Sequence, residues 1–477
     1  MTSSMTANAI AMLAARLLPP LFTFALNIAV ARLTGTEILG AYVNLLAVLL
    51  IFQAVAGAGV QFLVTREIAA FPERAPEYAR AARTFGLLSG GIGTLLYVLY
   101  AVWLLPDQRV VPALLLAVTI LPSAWIALQE AIFIGTRAHH WIVVVALVEN
   151  SLKAGLALTA LAAGYGLVGV SAAIAVSRLA GLATGGLLLR RHGFAGTWAF
   201  DPAGVVPFLR AITPFAMLFI LSMVYFRIDI PIVHAVAGEQ STGFYGVATT
   251  LYGALLLLPE SALAAAYPRL SRAYHASRGG YVHATAVLAK ALCLALVSVS
   301  IVLICVAEPL IGLLYGAAFA PSAGVLRLLA LALPLHALNG ALGQALQAGG
   351  QQRPMLAIIA VGVAVHTVLN IVLVRAFGIH GAPLAMLVSS SCVAAGALHA
   401  VHTRIAPVRF SASAVPQILA GVGPLVLVSA APAEWRLAAA VVGLVWLVAG
   451  SLWSGTLTPA DVAGMRAALN PEAGAAA

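Results

Sequence analysis

Long apolar runs separated by short polar connections dominate the chain. Four of them, Ile38–Thr65, Ala154–Ser177, Leu328–Gln352 and Ala376–Thr403, contain no Asp, Glu, Lys or Arg. Each exceeds the ~20 residues that carry an α-helix across a bilayer core of about 30 Å. Continued along the chain, the same pattern predicts fourteen spans, at about 9–31, 38–63, 82–105, 110–134, 141–163, 167–189, 206–232, 242–267, 284–307, 322–346, 355–376, 381–403, 412–431 and 435–454. The connections carry Pro, Gly or charge, as in Phe71-Pro-Glu-Arg-Ala-Pro76, Leu105-Pro-Asp-Gln-Arg109 and Arg269–Gly280. None is long enough for a soluble catalytic domain. The predicted fold class is an all-α polytopic membrane protein of about 14 transmembrane helices.

Composition sharpens this reading. Of 477 residues, 62% are apolar and 8% charged, against about 25% charged in a soluble domain. A water-soluble enzyme, a disordered tail protein and a disulfide-stapled secreted domain are excluded. The net charge of +10 comes from Lys and Arg scattered between apolar runs, which is topogenic charge rather than a nucleic-acid footprint. Cys293, Cys305 and Cys392 lie inside apolar stretches without CxxC spacing and read as small hydrophobes. The first apolar segment contains Arg16 and runs into Val30-Ala-Arg-Leu-Thr-Gly35 with no cleavage pattern, so the first helix is expected to be retained. Alternate connections hold fourteen basic residues on one side (Arg66, Arg74, Arg80 and Arg83 among them) and four on the other, Arg32, Arg109, Arg375 and Arg436. The positive-inside bias then predicts cytoplasmic N- and C-termini.

A weak internal repeat accompanies the spans. Gly35-Thr-Glu-Ile-Leu-Gly40-Ala-Tyr42 and Gly238-Glu-Gln-Ser-Thr-Gly243-Phe-Tyr245 share Gly-x4-Gly-x-Tyr at an offset of 203 residues. Gly166-Leu-Val-Gly169 and Gly378-Ile-His-Gly381 match at an offset of 212. Both pairs occupy equivalent topological places, which predicts two six-helix lobes related by a pseudo-two-fold along the membrane normal. The expected divisions are 1–195 (spans one to six), 196–405 (spans seven to twelve) and 406–477 (two added helices and a short tail).

Charge inside the membrane is expensive and marks function by default. Lys153 and Glu149 fall near the middle of span five, Arg178 near the middle of span six, Arg16 two turns into span one, and Arg227 and Asp229 toward the end of span seven. Arg16 and Arg178 have no opposite charge at helical spacing and are the leading candidates for cavity cations, with Lys153 and Arg227 beside them. Glu149 and Lys153 stand four apart on one helix face, where a structural ion pair competes with a transport role. Glu149, Glu130 and Asp229 are the candidate coupling carboxylates. Arg210, Lys290 and Arg327 lie close enough to span ends to snorkel. Gln53, Gln61, Asn150, Asn339, Gln344, Gln347 and Asn370 offer sugar contacts or interhelical hydrogen bonds. His399-Val-Ala-His402 has no carboxylate or Cys to complete a metal site, and neither a Gly-x-Ser-x-Gly elbow nor a Walker loop occurs. No catalytic residue, metal or organic cofactor is expected, and H+ or Na+ remains the candidate coupling ion.

Several segments resemble the polysaccharide (Wzx-type) flippases of the multidrug/oligosaccharidyl-lipid/polysaccharide exporter superfamily. They are Arg32-Leu-Thr-Gly35-Thr-Glu37-Ile-Leu-Gly40-Ala-Tyr42, the Gly57 and Gly59 of span two, and Thr65-Arg-Glu-Ile-Ala69. Gly349-Gly-Gln-Gln-Arg-Pro354, the Asn370 span, Gly378-Ile-His-Gly-Ala382 and Leu457-Thr-Pro-Ala-Asp461 add to them. Thr34 departs from the Leu-Gly-Pro-Glu often found at that turn. The resemblance implies fourteen helices in two lobes, alternating access, and an undecaprenyl-pyrophosphate-linked oligosaccharide as cargo. It further implies a bacterial cytoplasmic membrane location, membrane lipids as surroundings, and a polymerase and glycosyltransferases as partners. A pyrophosphate with sugars loses hydration in hydrocarbon, so a wet, cationic chamber is expected. The alternatives are a lipid II flippase, a drug/cation antiporter of the same superfamily and, from another class, a membrane glycan polymerase or ligase.

Overall fold

The structure is a computed structural model. It describes residues 2–71, 75–191, 201–405 and 414–454, with side chains described except at 2–17, 203 and 414–420. Among the described residues the chain is helical, without strands. The helices are α1 (Thr2–Gly57), α2 (Val60–Ala70), α3 (Ala75–Leu104), α4 (Asp107–Ala117), α5 (Ile120–Gly135), α6 (His139–Ala162), α7 (Gly166–Arg191), α8 (Pro202–Arg227), α9 (Asp229–Ala276), α10 (Arg278–Tyr315), α11 (Ser322–Ala348), α12 (Gln352–Phe377), α13 (Gly381–Arg404), α14 (Ala414–Ala430) and α15 (Arg436–Trp453). Large apolar side chains point outward, Trp103, Leu437 and Trp453 being 80%, 71% and 84% exposed. Such a surface suits lipid, where no hydrophobic penalty opposes it.

Ten apolar stretches among the described residues are long enough to cross a membrane. Leu18–Ala70 holds the second expected span and the end of the first, Gly204–Ala276 and Gln352–Arg404 hold two expected spans each, and the expected span 412–431 corresponds to α14. The difference has a backbone origin. In place of a loop between spans one and two, the helical trace continues through a kink at Gly35, with φ 83° and ψ −172°. Gly238 repeats it at φ 85° and ψ 177°. This region of φ/ψ is essentially reserved for glycine, so each chain segment re-aims its helix within one residue. In the second repeat Gly166 and Gly378 share a positive φ, 51° and 58°. The spacing found in the sequence therefore corresponds to matched backbone geometry.

The chain divides into two compact units, 1–246 and 247–477. In the first, α2, α3, α5 and α8 enclose an apolar core that includes Leu63, Ile68, Phe85, Ile132, Phe208 and Ile212, with the Phe85 and Phe208 rings 5.6 Å apart. In the second, α11 is buried along much of its length, and the buried His366 of α12 bridges to α13. Its Nδ1 lies 3.0 Å from the Ser389 hydroxyl. Because that hydroxyl is directed at the Met386 carbonyl at 3.2 Å, the ring must donate to Ser389. The opposite nitrogen then accepts from the Asn370 amide at 3.2 Å.

Candidate functional site: a polar chamber in the first unit

A chamber of about 220 Å³ lies in the first unit between α1, α2, α5, α7 and α8. Gln53, Gln61, Ser123, Glu130 and Arg178 supply its polar wall, and Phe62, Phe219 and Met223 much of its apolar one. Gly59 lets α8 close the wall, since a Cβ there would meet the Ala216 backbone nitrogen at 2.8 Å. The Gln61 amide donates to Glu130 at 3.3 Å, and Gln53 donates to the Thr119 hydroxyl at 2.9 Å.

Behind the wall, Glu149 and Lys153, four apart on one helix face, take separate partners. Arg178 of α7 reaches across to Glu149 of α6 at 3.0 Å, with side chains 26% and 14% exposed. Lys153 turns instead to the side-chain amide oxygen (Oδ1) of Asn150 at 2.8 Å and the Thr23 hydroxyl at 3.3 Å. Glu130, Glu149, Arg178 and Lys153 lie within electrostatic range of one another. Among the described residues two carboxylates, Glu130 and Glu149, stand with two cations, Arg178 and Lys153, and Arg178, which has no opposite charge at helical spacing, is compensated from a neighbouring helix. Same-helix periodicity carries no information on such a pair.

Other expected residues lie elsewhere. Arg227 and Asp229 are not among the residues lining the chamber. Asp229 is buried at the start of α9, where it accepts from the Tyr245 hydroxyl and from the Ile230 N–H at 2.9 Å. It ties the third residue of the repeat motif to the helix start. The Arg16 side chain lies outside the described residues. Asn150, Asn339 and Asn370 make helix contacts, to the Ala146, Ser390 and His366 carbonyls. Glu260 and His336 approach to 3.9 Å in the second unit.

Two contributors escaped the sequence reading. Gly181 and Gly185 of α7 form a small-xxx-small pair, a spacing that allows close helix approach. A Cβ on Gly181 would meet the Glu149 carboxylate at 2.7 Å, and one on Gly185 would overlap the Gln129 amide. The glycines make room for polar side chains of α6 and α5 beside Arg178. Their spacing was visible in the sequence.

The repeat motif forms a second arrangement in the same unit. The backbone after Gly35 meets the backbone after Gly238 reciprocally: a Cβ on Gly40 would overlap the Glu239 carbonyl oxygen, and one on Gly243 the Thr36 carbonyl oxygen. A Cβ on Gly246 would press on Val43 at 2.7 Å. Arg109 of α4 forks onto Glu239, with Nε to Oε1 at 2.9 Å and Nη2 to Oε2 at 2.6 Å.

A polar chamber thus lies among membrane-length helices that kink at glycines. The chain belongs to the polysaccharide biosynthesis protein family, whose family model matches residues 5–274. A second family model, MatE, matches residues 214–372. No curated protein matches the chain. Among solved structures, a lipid II flippase, MurJ, in an inward closed conformation is similar with a TM-score of 0.74 at 15% identity, over 94% of this chain and 98% of that one. An inward-facing multidrug resistance MATE transporter of the MOP superfamily gives 0.66 at 15% identity, over 83% and 98%. A eukaryotic MATE transporter gives 0.61 at 17% identity, over 84% and 95%. The fold is that of MurJ and the MATE transporters, and the chain is a multi-pass membrane protein.

Proposed function

We propose that this protein is a flippase that carries an undecaprenyl-pyrophosphate-linked oligosaccharide repeat unit between the leaflets of a bacterial cytoplasmic membrane by alternating access. The observation that carries the reading is the chamber: amide, hydroxyl, carboxylate and guanidinium groups gathered among membrane-length helices in a chain of the polysaccharide biosynthesis family. Polar cargo crosses hydrocarbon only where such groups replace its lost hydration. At about 220 Å³ the chamber is smaller than the ~300–1,000 Å³ pockets that bury a drug-sized ligand. It holds part of a head group at most and widens when cargo enters, with the lipid tail left in the bilayer.

In this reading Arg178 of the chamber wall, with Lys153 behind it and Arg16, provides the cations that meet the pyrophosphate, while Arg227 lies outside the wall. Arg178 exchanges Glu149 for the cargo, and the freed carboxylate stays near Lys153. Among Glu130, Glu149 and Asp229, Glu130 is the best-placed group for H+ or Na+ coupling, because it lines the chamber beside Gln61. The basic-rich face is cytoplasmic, as are both termini, and glycosyltransferases and a polymerase act before and after the transfer. The similarity to a lipid II flippase over 94% of the chain supports a second reading, with lipid II as cargo.

Reconstitution into vesicles separates these. A polyprenyl-pyrophosphate oligosaccharide or lipid II is placed in one leaflet, and its sugar is probed with an impermeant glycan-modifying enzyme on the other side. The proposal expects movement of the oligosaccharide lipid, lost when Arg16 and Arg178 are both replaced by Ala in a protein that still inserts. Movement of lipid II alone establishes the second reading, and movement of neither overturns both.

A further inference from the structure

We propose that the basic-rich end of the second unit is an electrostatic seat for anionic phospholipid headgroups, formed by Arg272, Arg278, Arg353 and Arg404. The inference holds whichever cargo the chamber carries. It starts from an imbalance of charge. Between Ser261 and Ala433 the chain contains a single acidic residue, Glu308. That residue stands thirty positions along α10 from Arg278, roughly 45 Å away at 1.5 Å per residue. All four arginines are exposed, and among the described residues none of them forms an ion pair. Packing gathers them at one end of the unit. The Tyr281 hydroxyl, in the first turn of α10, donates to the Ala345 carbonyl in the last turn of α11. The Tyr274 ring near the end of α9 meets the Tyr281 ring edge-on, with centroids 5.2 Å apart. A Cβ on Gly343 would press on Met355 of α12 at 2.8 Å, and one on Gly349 on Ile405, just past α13, at 3.1 Å. The end of α9, the start of α10, the start of α12 and the end of α13 therefore share one face.

The depth of these residues suits headgroups. Arg353 and Arg404 adjoin the apolar stretches of α12 and α13. Arg272 lies five residues past the span 242–267 and Arg278 six residues before the span 284–307, roughly 8 and 9 Å along the helices. Both distances fall within about one Debye length at physiological salt. Each Lys or Arg so placed raises affinity for an anionic leaflet about fivefold. Exposed Tyr267 and Tyr274 stand among the arginines, and such rings collect at membrane interfaces. They favour a lipid surface over an acidic protein as the occupant. Topology alone asks only for positive charge in the connections. It does not ask for arginine in the first turn of a helix, where the macrodipole opposes a cation. Arg278 and Arg353 occupy such turns of α10 and α12, and neither turn holds an acidic residue. The first turns of α3 and α4 carry Glu77 and Asp107. A lipid phosphate beside Arg278 and Arg353 offsets that cost.

The test counts lipids on the full chain. Protein purified in an uncharged detergent is titrated with phosphatidylglycerol or with phosphatidylcholine of the same acyl chains, and bound lipid is counted by native mass spectrometry. The seat predicts that phosphatidylglycerol binds at least tenfold more tightly than phosphatidylcholine. R278Q/R353Q should reduce that preference about fivefold or more. R278K/R353K should keep it, because the attraction reads charge rather than shape. R375Q/R436Q removes two charges at the other end of the unit and should leave it unchanged. Phosphatidylglycerol bound no better than phosphatidylcholine overturns the proposal, as does an equal effect of R278Q/R353Q and R375Q/R436Q. Should R278Q/R353Q not accumulate, the wild-type protein decides. Raising ammonium acetate from about 0.1 to 1 M shortens the screening length from about 10 to 3 Å and should cut the preference severalfold, whereas an unchanged preference overturns the seat. Polyglutamate is added to protein in nanodiscs of either lipid. Equal binding in both assigns the face to an acidic protein partner and also overturns the proposal, and binding confined to phosphatidylcholine discs supports it.

Discussion

Replacing Arg178 by Gln removes one half of an ion pair that the membrane interior makes consequential. The guanidinium sits 3.0 Å from one oxygen of Glu149 and 3.4 Å from the other. At an effective dielectric constant near 20 the attraction between charges about 4 Å apart is roughly 4 kcal/mol. Desolvation of both groups and the 26% and 14% exposure reduce the net coupling to about 1–3 kcal/mol. R178Q leaves a carboxylate against Gly181 with Lys153 as its remaining cation, and E149Q leaves two cations close together. Each single variant should lose stability, whereas the double variant R178Q/E149Q should lose less than their sum by that coupling. Thermal unfolding of the four purified proteins in one detergent reads the cycle, with on the order of 2–4 °C per kcal/mol for a unit of about 250 residues. Losses that add within about 0.5 kcal/mol would refute the pair as an energetic unit, and with it the argument that Arg178 reaches cargo by exchanging partners.

Two further outcomes follow from the backbone and from the second unit. Gly35→Ala and Gly238→Ala should each cost about 1–3 kcal/mol through backbone strain alone, since nothing lies within 4 Å of either added Cβ; Gly91→Ala, equally open but at ordinary helical dihedrals, should be neutral or slightly stabilising by thermal unfolding. His366→Ala should destabilise by about 2–4 kcal/mol, because it leaves a void and removes the ring's hydrogen bonds to the Ser389 hydroxyl and the Asn370 amide. Ser391→Ala on the exposed face of the same helix pair should stay within about 0.5 kcal/mol.

Hydrophobic runs revealed the helices because a bilayer demands length and apolarity in each crossing. They could not reveal that Gly35, Gly238 and Gly378 would turn the chain while keeping it helical, so neighbouring spans read as separate elements join into longer ones. The repeat was legible because glycine is required at matched points of unusual φ, and such requirements leave a spaced signature. The chamber was legible in part. Arg178, Glu130, Gln53 and Gln61 stood out as polar groups at membrane depth. Their partners did not, since Glu149 reaches Arg178 from another helix, and periodicity reports only neighbours on the same one. Asp229 looked like a candidate for proton transfer by depth alone, and the Tyr245 hydroxyl that occupies it lies sixteen residues on, beyond any helical spacing.

The backbone-to-backbone seating of the segments after Gly35 and Gly238 bears on how the protein can be handled. Exposed loop tips ordinarily tolerate inserted sequence. Here the connections on the basic-poor face have no slack: a tag, epitope or protease site placed between Thr36 and Gly40, or between Glu239 and Gly243, would wedge two carbonyl contacts apart. Reporters belong at exposed positions with ordinary backbone dihedrals, away from positive-φ glycines such as Gly35, Gly164 and Gly238. The motif that looks most like a permissive loop is the least forgiving place on that side to cut or lengthen the chain.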